Sequence, residues 1–274
     1  MKGVLAVSGG VDSMVMLDLY GGEGDFVVAH FDHGIRDESK EDVELVRREA
    51  ERKGLKFVLG ERNLGKRASE DAARRARYDF LFSLGGEVWT AHHIDDMVET
   101  GVINIIRGTG WRGLAPFVGN KVQRPFIDQG WGRKEVLEHA AKHGVKWRQD
   151  ATNYSGEYLR GRIRERSIGW EGRDEFLRLT QCQRVVRKEI DALIYEVVQE
   201  LDLGKVPREW LKSLDDLVLR EILYAVLQEV GVRPLPTDLE RLVEGIRDLS
   251  SGKKVNLSGG KLVNVNRMGV DFIA

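Results

Sequence analysis

Cysteine is almost absent from this sequence: Cys182 stands alone among 274 residues. A single cysteine cannot close an internal disulfide, and it cannot by itself supply a zinc or iron–sulfur ligand set. These absences favour a reducing compartment, and we expect a cytoplasmic location. Cys182 falls in a helical pattern, where we expect it to be a small buried apolar residue.

Long apolar runs are also lacking. After Met1 the apolar run Val4 to Val7 is too short for a secretion signal. No stretch approaches the roughly 18 apolar residues that a membrane-spanning helix needs. With 43 basic and 44 acidic residues, the chain also lacks the excess charge of one sign that marks a basic nucleic-acid coat or a disordered tail. Hydrophobic residues make up 42%, enough for a core.

Short apolar runs alternate with amphipathic segments in the first half of the chain, a pattern that predicts a parallel α/β sheet of the Rossmann-like class with helices on both faces. The runs are nearly all apolar, as in strands covered on both sides. Strands are predicted at 3–7, 25–31, 56–60 and 87–92, and helices at 11–20, 39–53, 67–84 and 95–107.

The pattern changes near residue 172. Long helical stretches are predicted at 174–201, 215–230 and 237–249, and alternation around a Ser-Gly-Gly turn predicts short strands within 253–274. We therefore divide the chain into a domain at 1–172 and a smaller, mainly helical domain with short terminal strands at 173–274.

The segment SGGVDS, Ser8 to Ser13, lies between the first strand and the first helix. Open α/β sheets bind ligands at this position. Gly9 and Gly10 would let backbone amides approach an anion at the amino end of the helix. The segment is neither a Walker loop nor GxGxxG. Asp12 fits a divalent cation that bridges to phosphate, or alternatively a tight turn with an acid at the helix start.

Taken together, several segments resemble the tRNA(Ile)-lysidine synthetase family of the ATP-pyrophosphatase (PP-loop) superfamily, whose fingerprint is SGGxDS. The segments are HFDHGIRDES (30–39), EDAARRARYDFL (70–81), TAHHIDDMVETGVINIIRGTGWRGL (90–114), RPF (124–126) and RQDATNYSGEYLRGRIR (148–164). The resemblance covers about residues 3–166, and the end of the chain echoes the family weakly. Gly161 departs from the pattern, because the family usually has asparagine there.

The resemblance implies an enzyme that uses ATP and Mg²⁺ to adenylate C2 of the wobble cytidine in a tRNA(Ile) with a CAU anticodon. Free lysine then replaces AMP, and lysidine formation changes codon specificity from AUG to AUA. The helical domain would bind tRNA. The sequence does not fix the oligomeric state, and a homodimer is one option.

The resemblance also implies site residues. For catalysis these are Asp12, Asp96 and Arg160, with Asp12 also the candidate Mg²⁺ ligand; for the nucleotide they are Ser8, Gly9, Gly10, Val11, Asp12 and Ser13. For tRNA or lysine they are His33, Arg36, Arg74, Arg77, Tyr78, His92, Asp95, Glu99, Arg107, Arg112 and Arg164.

Plainer interpretations exist for several of these residues. Asp95 and Asp96 could simply complement a helix dipole, and the arginines of 74–77 could form a solvated helix face. Adjacent His92 and His93 make a weak zinc motif. The stretch 124–188 has 15 basic and 9 acidic residues, which indicates either a tRNA footprint or ordinary surface solvation.

Three other functions stay open. A tRNA sulfurtransferase of the same superfamily would normally carry paired cysteines. A non-catalytic nucleotide- or RNA-binding module is disfavoured by the intact SGGVDS and HHIDDMVET segments. A small-molecule amidotransferase would need a glutaminase domain, which the sequence does not show.

Overall fold

The computed structural model describes residues 3–34, 39–63, 65, 70–119, 122–148, 162–163, 170–232, 234–248, 253–258 and 260–272. The chain divides into two compact units, Met1–Arg184 and Val185–Ala274. The division falls inside one long helix rather than at residue 172. The assignment of residues 1–172 to catalysis and of 173–274 to tRNA binding stays a prediction.

The first unit contains a five-stranded, fully parallel sheet. Its strands are β1 (Gly3–Ala6), β2 (Phe26–Asp32), β3 (Lys56–Glu61), β4 (Glu87–Trp89) and β5 (Val122–Gln123). The spatial order is β3-β2-β1-β4-β5, so the chain reverses direction across the sheet between β1 and β4. Crevices for ligands form beside the carboxyl ends of strands at such a reversal.

The helices from the first half of the chain to the unit boundary are α1 (Val11–Tyr20), α2 (Ser39–Arg52), α3 (Glu70–Ser83), α4 (Ile94–Ile106), α5 (Pro125–Asp128), α6 (Arg133–His143) and α7 (Arg173–Gln199). Of these, α1, α2 and α3 pack directly on the strands. Alternate strand residues face opposite sides. Leu5 packs in the cluster that contains residues of α1, α2 and α6, whereas Val4 packs with Leu81 of α3. The predicted α/β architecture is confirmed.

Several details differ from the sequence expectations, and the short elements β5 and α5 were not predicted. β4 ends at Trp89 instead of residue 92, because its neighbour β5 has only two residues to pair with. α6 was not among the predicted helices, although Gly144 ends it in the left-handed conformation at φ 63°. Cys182 is exposed, so its predicted burial is wrong: helical patterning alone does not reveal which face of α7 the rest of the chain covers.

The second unit has its own apolar core. Its helices α8 (Arg208–Ser213), α9 (Asp216–Glu229) and α10 (Pro236–Asp248) accompany an antiparallel sheet of β6 (Val206–Pro207), β7 (Lys253–Asn256), β8 (Leu262–Val265) and β9 (Gly269–Asp271). Buried Asp238 joins α10 to the sheet region, since its carboxylate accepts hydrogen bonds from the N–H groups of Leu235 and Ser258. This agrees with the predicted helical region and terminal strands.

Among the described residues, no helix is both long enough and apolar enough to cross a membrane.

The central strand offers a direct test of the core. Leu5 is fully buried, and its replacement in Leu5→Ala should lower the free energy of unfolding by about 2–5 kcal/mol, because the packed neighbours cannot fill the cavity. Leu179→Ala is the matched control, since that side chain is 47% exposed; we expect a change within about 0.5 kcal/mol. Urea denaturation followed by tryptophan fluorescence measures both, and equal effects would contradict the packing described.

Candidate active site

A cavity of about 470 Å³ lies beside the carboxyl ends of β1, β2 and β4. Its volume suits a small-molecule ligand. Most of its lining comes from the loop after β1, the end of β2 and the segment after β4, and α2 and α3 supply the rest. The polar lining residues are Ser8, Asp12, Ser13, His30, Asp32, His33, Asp42, Arg77, Thr90, His92 and Asp96.

The loop from Ser8 to Ser13 is held in shape by its own hydroxyl groups. Ser13 Oγ accepts from the Ser8 N–H at 3.1 Å and donates to the Gly10 carbonyl at 2.9 Å. Gly9 adopts φ +92°, which favours glycine, and Gly10 begins α1 without a side-chain cap. The amino end of α1 therefore presents backbone amides beside the cavity, as anion-binding helices do.

Asp12, in the first turn of α1, is paired with Arg133 at the start of α6. Nη1 of Arg133 donates to both carboxylate oxygens, at 2.9 and 2.8 Å. Both side chains keep partial exposure, 31% for Asp12 and 41% for Arg133. The pair joins the amino ends of two helices on one side of the cavity and keeps Asp12 next to the loop.

Asp95 also binds the start of α6. Its Oδ2 accepts from the Arg133 N–H at 2.7 Å, and its Oδ1 accepts from Arg173 at the start of α7. Burial alone would raise the pKa of Asp95, but the Arg133 and Arg173 hydrogen bonds outweigh it and hold the pKa below its usual value. The carboxylate therefore stays ionised and connects the starts of α4, α6 and α7.

Asp96 and His93 cap the amino end of α4 together. The His93 N–H donates to Oδ2 of Asp96 at 3.0 Å, and the Asp96 N–H donates to Nδ1 of His93 at 3.4 Å. This is a reciprocal capping box. With Nδ1 as acceptor, the proton of a neutral His93 ring sits on Nε2, 3.9 Å from Oδ1 of Asp12.

His92 lines the cavity as a neutral ring. Burial lowers the pKa of His92 to about 3, and nearby guanidinium groups, Arg124 first among them, act in the same direction against the opposing charge of Asp96. Its Nδ1 is 2.8 Å from Oγ1 of Thr90, and its ring lies 4.9 Å from that of Phe117. His92 can therefore exchange hydrogen bonds at neutral pH but does not supply positive charge.

The expected site residues fall into three groups. Those lining the cavity are Ser8, Gly10, Asp12, Ser13, His33, Arg77, His92 and Asp96, while Gly9 and Val11 lie in the same loop and helix start. Those placed away from its lining are Arg74, Tyr78, Asp95, Glu99, Arg107 and Arg112. Those outside the described residues are Arg36, Arg160 and Arg164. Val11 is 3% exposed, so its side chain belongs to the core.

Several lining residues were not anticipated. Asp32 follows the same strand-end rule that selected His33, and its Oδ1 accepts from the Gly34 N–H at 2.8 Å. Asp42 on α2 approaches Gly9, and Arg148 fixes it with Nε at 2.9 Å from its Oδ1. Asp42 comes from a distant segment, as does Arg133, which is not in the lining but pairs with Asp12, and no local motif marks either residue.

The sheet is parallel, a glycine loop lies where its strand order reverses, and the amino end of a helix adjoins that loop. These features are typical of a nucleotide-binding α/β protein. The PP-loop domain model matches residues 1–169, and the chain belongs to this family of ATP-binding domains.

The chain is 32% identical over 254 residues to tRNA(Ile)-lysidine synthase of Exiguobacterium sibiricum, covering 88% of this chain and 57% of that protein. It is 35% identical over 190 residues to the Geobacter sulfurreducens tRNA(Ile)-lysidine synthase, with 62% of this chain and 40% of that protein covered. The matches thus span about half the length of these relatives.

Among solved structures, the chain is similar to the U34-tRNA thiolase NcsA from Methanococcus maripaludis with its [4Fe-4S] cluster. The TM-score is 0.56 at 18% identity, covering 68% of this chain and 72% of that one. At this identity the similarity shows a shared fold.

The Asp95 contacts predict a pH-dependent loss of stability. Asp95→Asn should cost about 1–3 kcal/mol at pH 7, because the amide removes the charge that two donors share. The folded pKa of Asp95 is lowered, so its contribution is complete above about pH 4 and disappears as the pH falls through the folded value. The deficit of the variant should therefore shrink at pH 3.

Asp174→Asn is the control, since Asp174 pairs with the same Arg173 but is 73% exposed. We expect about 0–1 kcal/mol for it. Urea denaturation at pH 7 and pH 3 measures both variants. Equal losses for the two, or a deficit for Asp95→Asn that does not change with pH, would contradict the assignment.

The state of His92 can be measured by NMR. A pKa of about 3 keeps the ring neutral, so its Hε1 shift should stay flat between pH 5 and pH 8. A free histidine titrates near pH 6.5. The His92→Gln variant assigns the signal, and the urea-denatured protein supplies the titrating reference. A folded-state midpoint near 6.5 would show that the ring is not desolvated.

Proposed function

We propose that this chain is a tRNA(Ile)-lysidine synthetase. It would adenylate C2 of the wobble cytidine in CAU-anticodon tRNA(Ile) with ATP and then replace AMP with free L-lysine. The observation that carries the proposal is the similarity over 88% of the chain to a protein with that activity in its name. The cavity chemistry at Ser8–Ser13 and Asp96 supports it.

The phosphates of ATP would lie at the loop Ser8 to Ser13. The amino end of α1 has no side-chain cap and borders this space, and the Ser8 and Ser13 hydroxyls, 3.2 Å apart, belong to residues that line it. The adenylation step has the cytidine O2 attack the α-phosphorus while the bond to the pyrophosphate leaving group breaks. An in-line attack requires both reactants to be positioned, which the fixed loop favours.

Mg²⁺ fits the residues present. Four carboxylates line the cavity, those of Asp12, Asp32, Asp42 and Asp96, and they would repel a polyphosphate without a counter-ion. Carboxylate oxygens are the ligands that Mg²⁺ prefers, and Asp12 belongs to the loop itself. The ion would neutralise phosphate charge. Arg133, now paired with Asp12, would share that task as the nucleotide enters.

Asp96 is the proposed base for the second step. The lysine ε-amine attacks C2, the C2–O bond to AMP breaks, and a proton must leave the amine. Asp96 lines the cavity, and its Oδ2 is held by the His93 N–H at 3.0 Å. A carboxylate with a fixed orientation can accept that proton. Neutral His92 beside it can hydrogen-bond to substrate without repelling an ammonium group.

The remaining assignments belong to this proposal as well. Arg160 would act in catalysis, and Arg36 and Arg164, with the basic stretch 124–188, would contact tRNA. Residues 173–274 would form the tRNA-binding domain. We also retain a cytoplasmic location and the homodimer as proposals.

The alternatives have less support. The similar thiolase is named with a [4Fe-4S] cluster, whereas this sequence has one cysteine and cannot hold such a cluster through its own thiolates. A non-catalytic module would not require Asp96 to be oriented beside the loop.

The proposal is tested by pyrophosphate release from ATP and Mg²⁺, with and without the CAU-anticodon tRNA(Ile) transcript and lysine. Steady-state release should depend on the tRNA and on lysine. It should fall about 100-fold in Asp96→Asn, because without that base lysine does not displace AMP and turnover stops after one adenylation. Asp79→Asn is the matched control, an exposed acid on α3, and should keep wild-type activity. Pyrophosphate release that does not depend on the tRNA would instead indicate that the enzyme adenylates another substrate.

A further inference from the structure

A second polar cluster lies at the other ends of α1 and α6, away from the glycine loop. It consists of Asp18 on α1 and His139 and His143 on α6. Nε2 of His139 is 3.0 Å from Oδ2 of Asp18. The His139 and His143 rings stack in parallel, 4.1 Å apart. One nitrogen of each ring and one carboxylate oxygen all lie within 4.8 Å of one another.

The spacing of the histidines explains this arrangement. Residues four apart lie one above the other on a helix, so both imidazoles leave the same face of α6. Zinc enzymes use the same i, i+4 pair on a helix. α1 packs along α6 and brings Asp18 to that face. A cavity of about 210 Å³ adjoins the cluster and is lined partly by Asp18, Lys53 and His143.

We propose that Asp18, His139 and His143 form a binding site for a divalent transition metal of the zinc type. Two imidazoles and one carboxylate suit Zn²⁺, Co²⁺ or Ni²⁺ rather than Mg²⁺, which prefers oxygen ligands. Three protein ligands leave one tetrahedral position, open to water from the adjoining cavity. This inference concerns residues outside the candidate active site and does not depend on the proposed function.

Little movement is needed to close the site. Ligands of a tetrahedral zinc ion lie about 3.3 Å apart, given bonds of roughly 2.0–2.2 Å. His143 is exposed, so its ring can turn from the stack toward Asp18 without disturbing the core. His139 already points Nε2 at the carboxylate and is only 11% exposed. A largely covered, oriented ligand and an exposed one together allow the ion to enter.

Lys53 opposes the ion. Its ammonium lies 3.1 Å from Oδ1 of Asp18 and also donates to the Asp18 carbonyl at 3.0 Å. A second cation at Oδ2 would share the carboxylate with this charge, and the repulsion weakens binding. Removing the ammonium should therefore tighten the site. Tighter binding after removal of Lys53 would distinguish an ion that contacts Asp18 from an ion that contacts only the histidines.

The site would join the same two helices that meet at the active site. Asp12 and Arg133 pair at the amino ends of α1 and α6, while Asp18 and His143 lie near their carboxyl ends. An ion bound to the folded protein stabilises it by mass action. Zinc should therefore raise the Tm through the α1–α6 contact.

The test uses the full chain without an affinity tag, stripped with EDTA. Zn²⁺ affinity is measured by competition with a chromophoric chelator, Co²⁺ absorption reports the coordination geometry, and Tm is recorded with and without zinc. We expect one zinc ion at this site with a Kd of about 10⁻⁵ M or lower, because three ligands with an open position bind more weakly than a closed structural site. His143→Gln should weaken zinc binding at least about ten-fold. Changing a residue that only hydrogen-bonds to a metal ligand already costs about that much affinity, and His143 is proposed as a ligand itself.

Lys142→Gln is the control, an adjacent change that should leave zinc affinity within about two-fold, because Lys142 is not a ligand. Lys53→Met should tighten binding at least about three-fold. Zinc should raise the Tm of the wild type by more than that of His143→Gln at the same zinc concentration. No binding at 100 µM Zn²⁺, far above the concentration that a zinc site needs, would overturn the proposal. Binding unchanged in His143→Gln, or not tightened in Lys53→Met, would overturn it equally.

Discussion

The geometry of the candidate active site depends on the contacts that Arg133 makes at the start of α6. Arg133 gives its backbone N–H to Asp95 and its guanidinium to Asp12, so one residue holds two acids from two other helices. Asp95 in turn binds Arg173 at the start of α7. These contacts converge where the sheet reverses between β1 and β4. The loop, the base candidate and the cavity wall are thereby fixed relative to one another.

This network also explains why an anion site can contain so many acids. Asp95 is paired with Arg173, Asp42 with Arg148, and Asp12 with Arg133. The pairs orient the carboxylates before any ligand arrives, and the lowered pKa of Asp95 keeps that group ionised. A nucleotide with its counter-ion then exchanges some protein contacts for phosphate contacts, rather than having to order a loose loop.

Sequence reasoning recovered the parts of the site that are local. The strand–loop–helix order around Ser8 to Ser13 and the acids after β4 follow from short patterns, and Asp12 and Asp96 do line one cavity. Asp95 and Asp96 look equivalent in sequence, yet one faces the cavity and the other binds helix starts. Only the direction of each side chain at the first turn of α4 separates them.

The contributions that were missed are long-range. Arg133 is 121 residues from Asp12, and the third ligand candidate at Asp18 is equally far from His139. A helix-spaced pair such as His139 and His143 is visible in the sequence, but its carboxylate partner is set by how α1 packs on α6. Cys182 shows the same limit, because its exposure depends on which face of α7 is covered.

Under the proposed function, a cavity that can hold ATP beside an oriented carboxylate suits the activation of one substrate and its attack by an amine. The most direct measurement is mass spectrometry of the anticodon fragment of CAU tRNA(Ile) after incubation with the protein, ATP, Mg²⁺ and lysine. The account predicts a mass gain at the wobble cytidine equal to lysine minus water, absent without lysine. An unmodified cytidine, with wild-type protein that is folded and binds ATP, would contradict it.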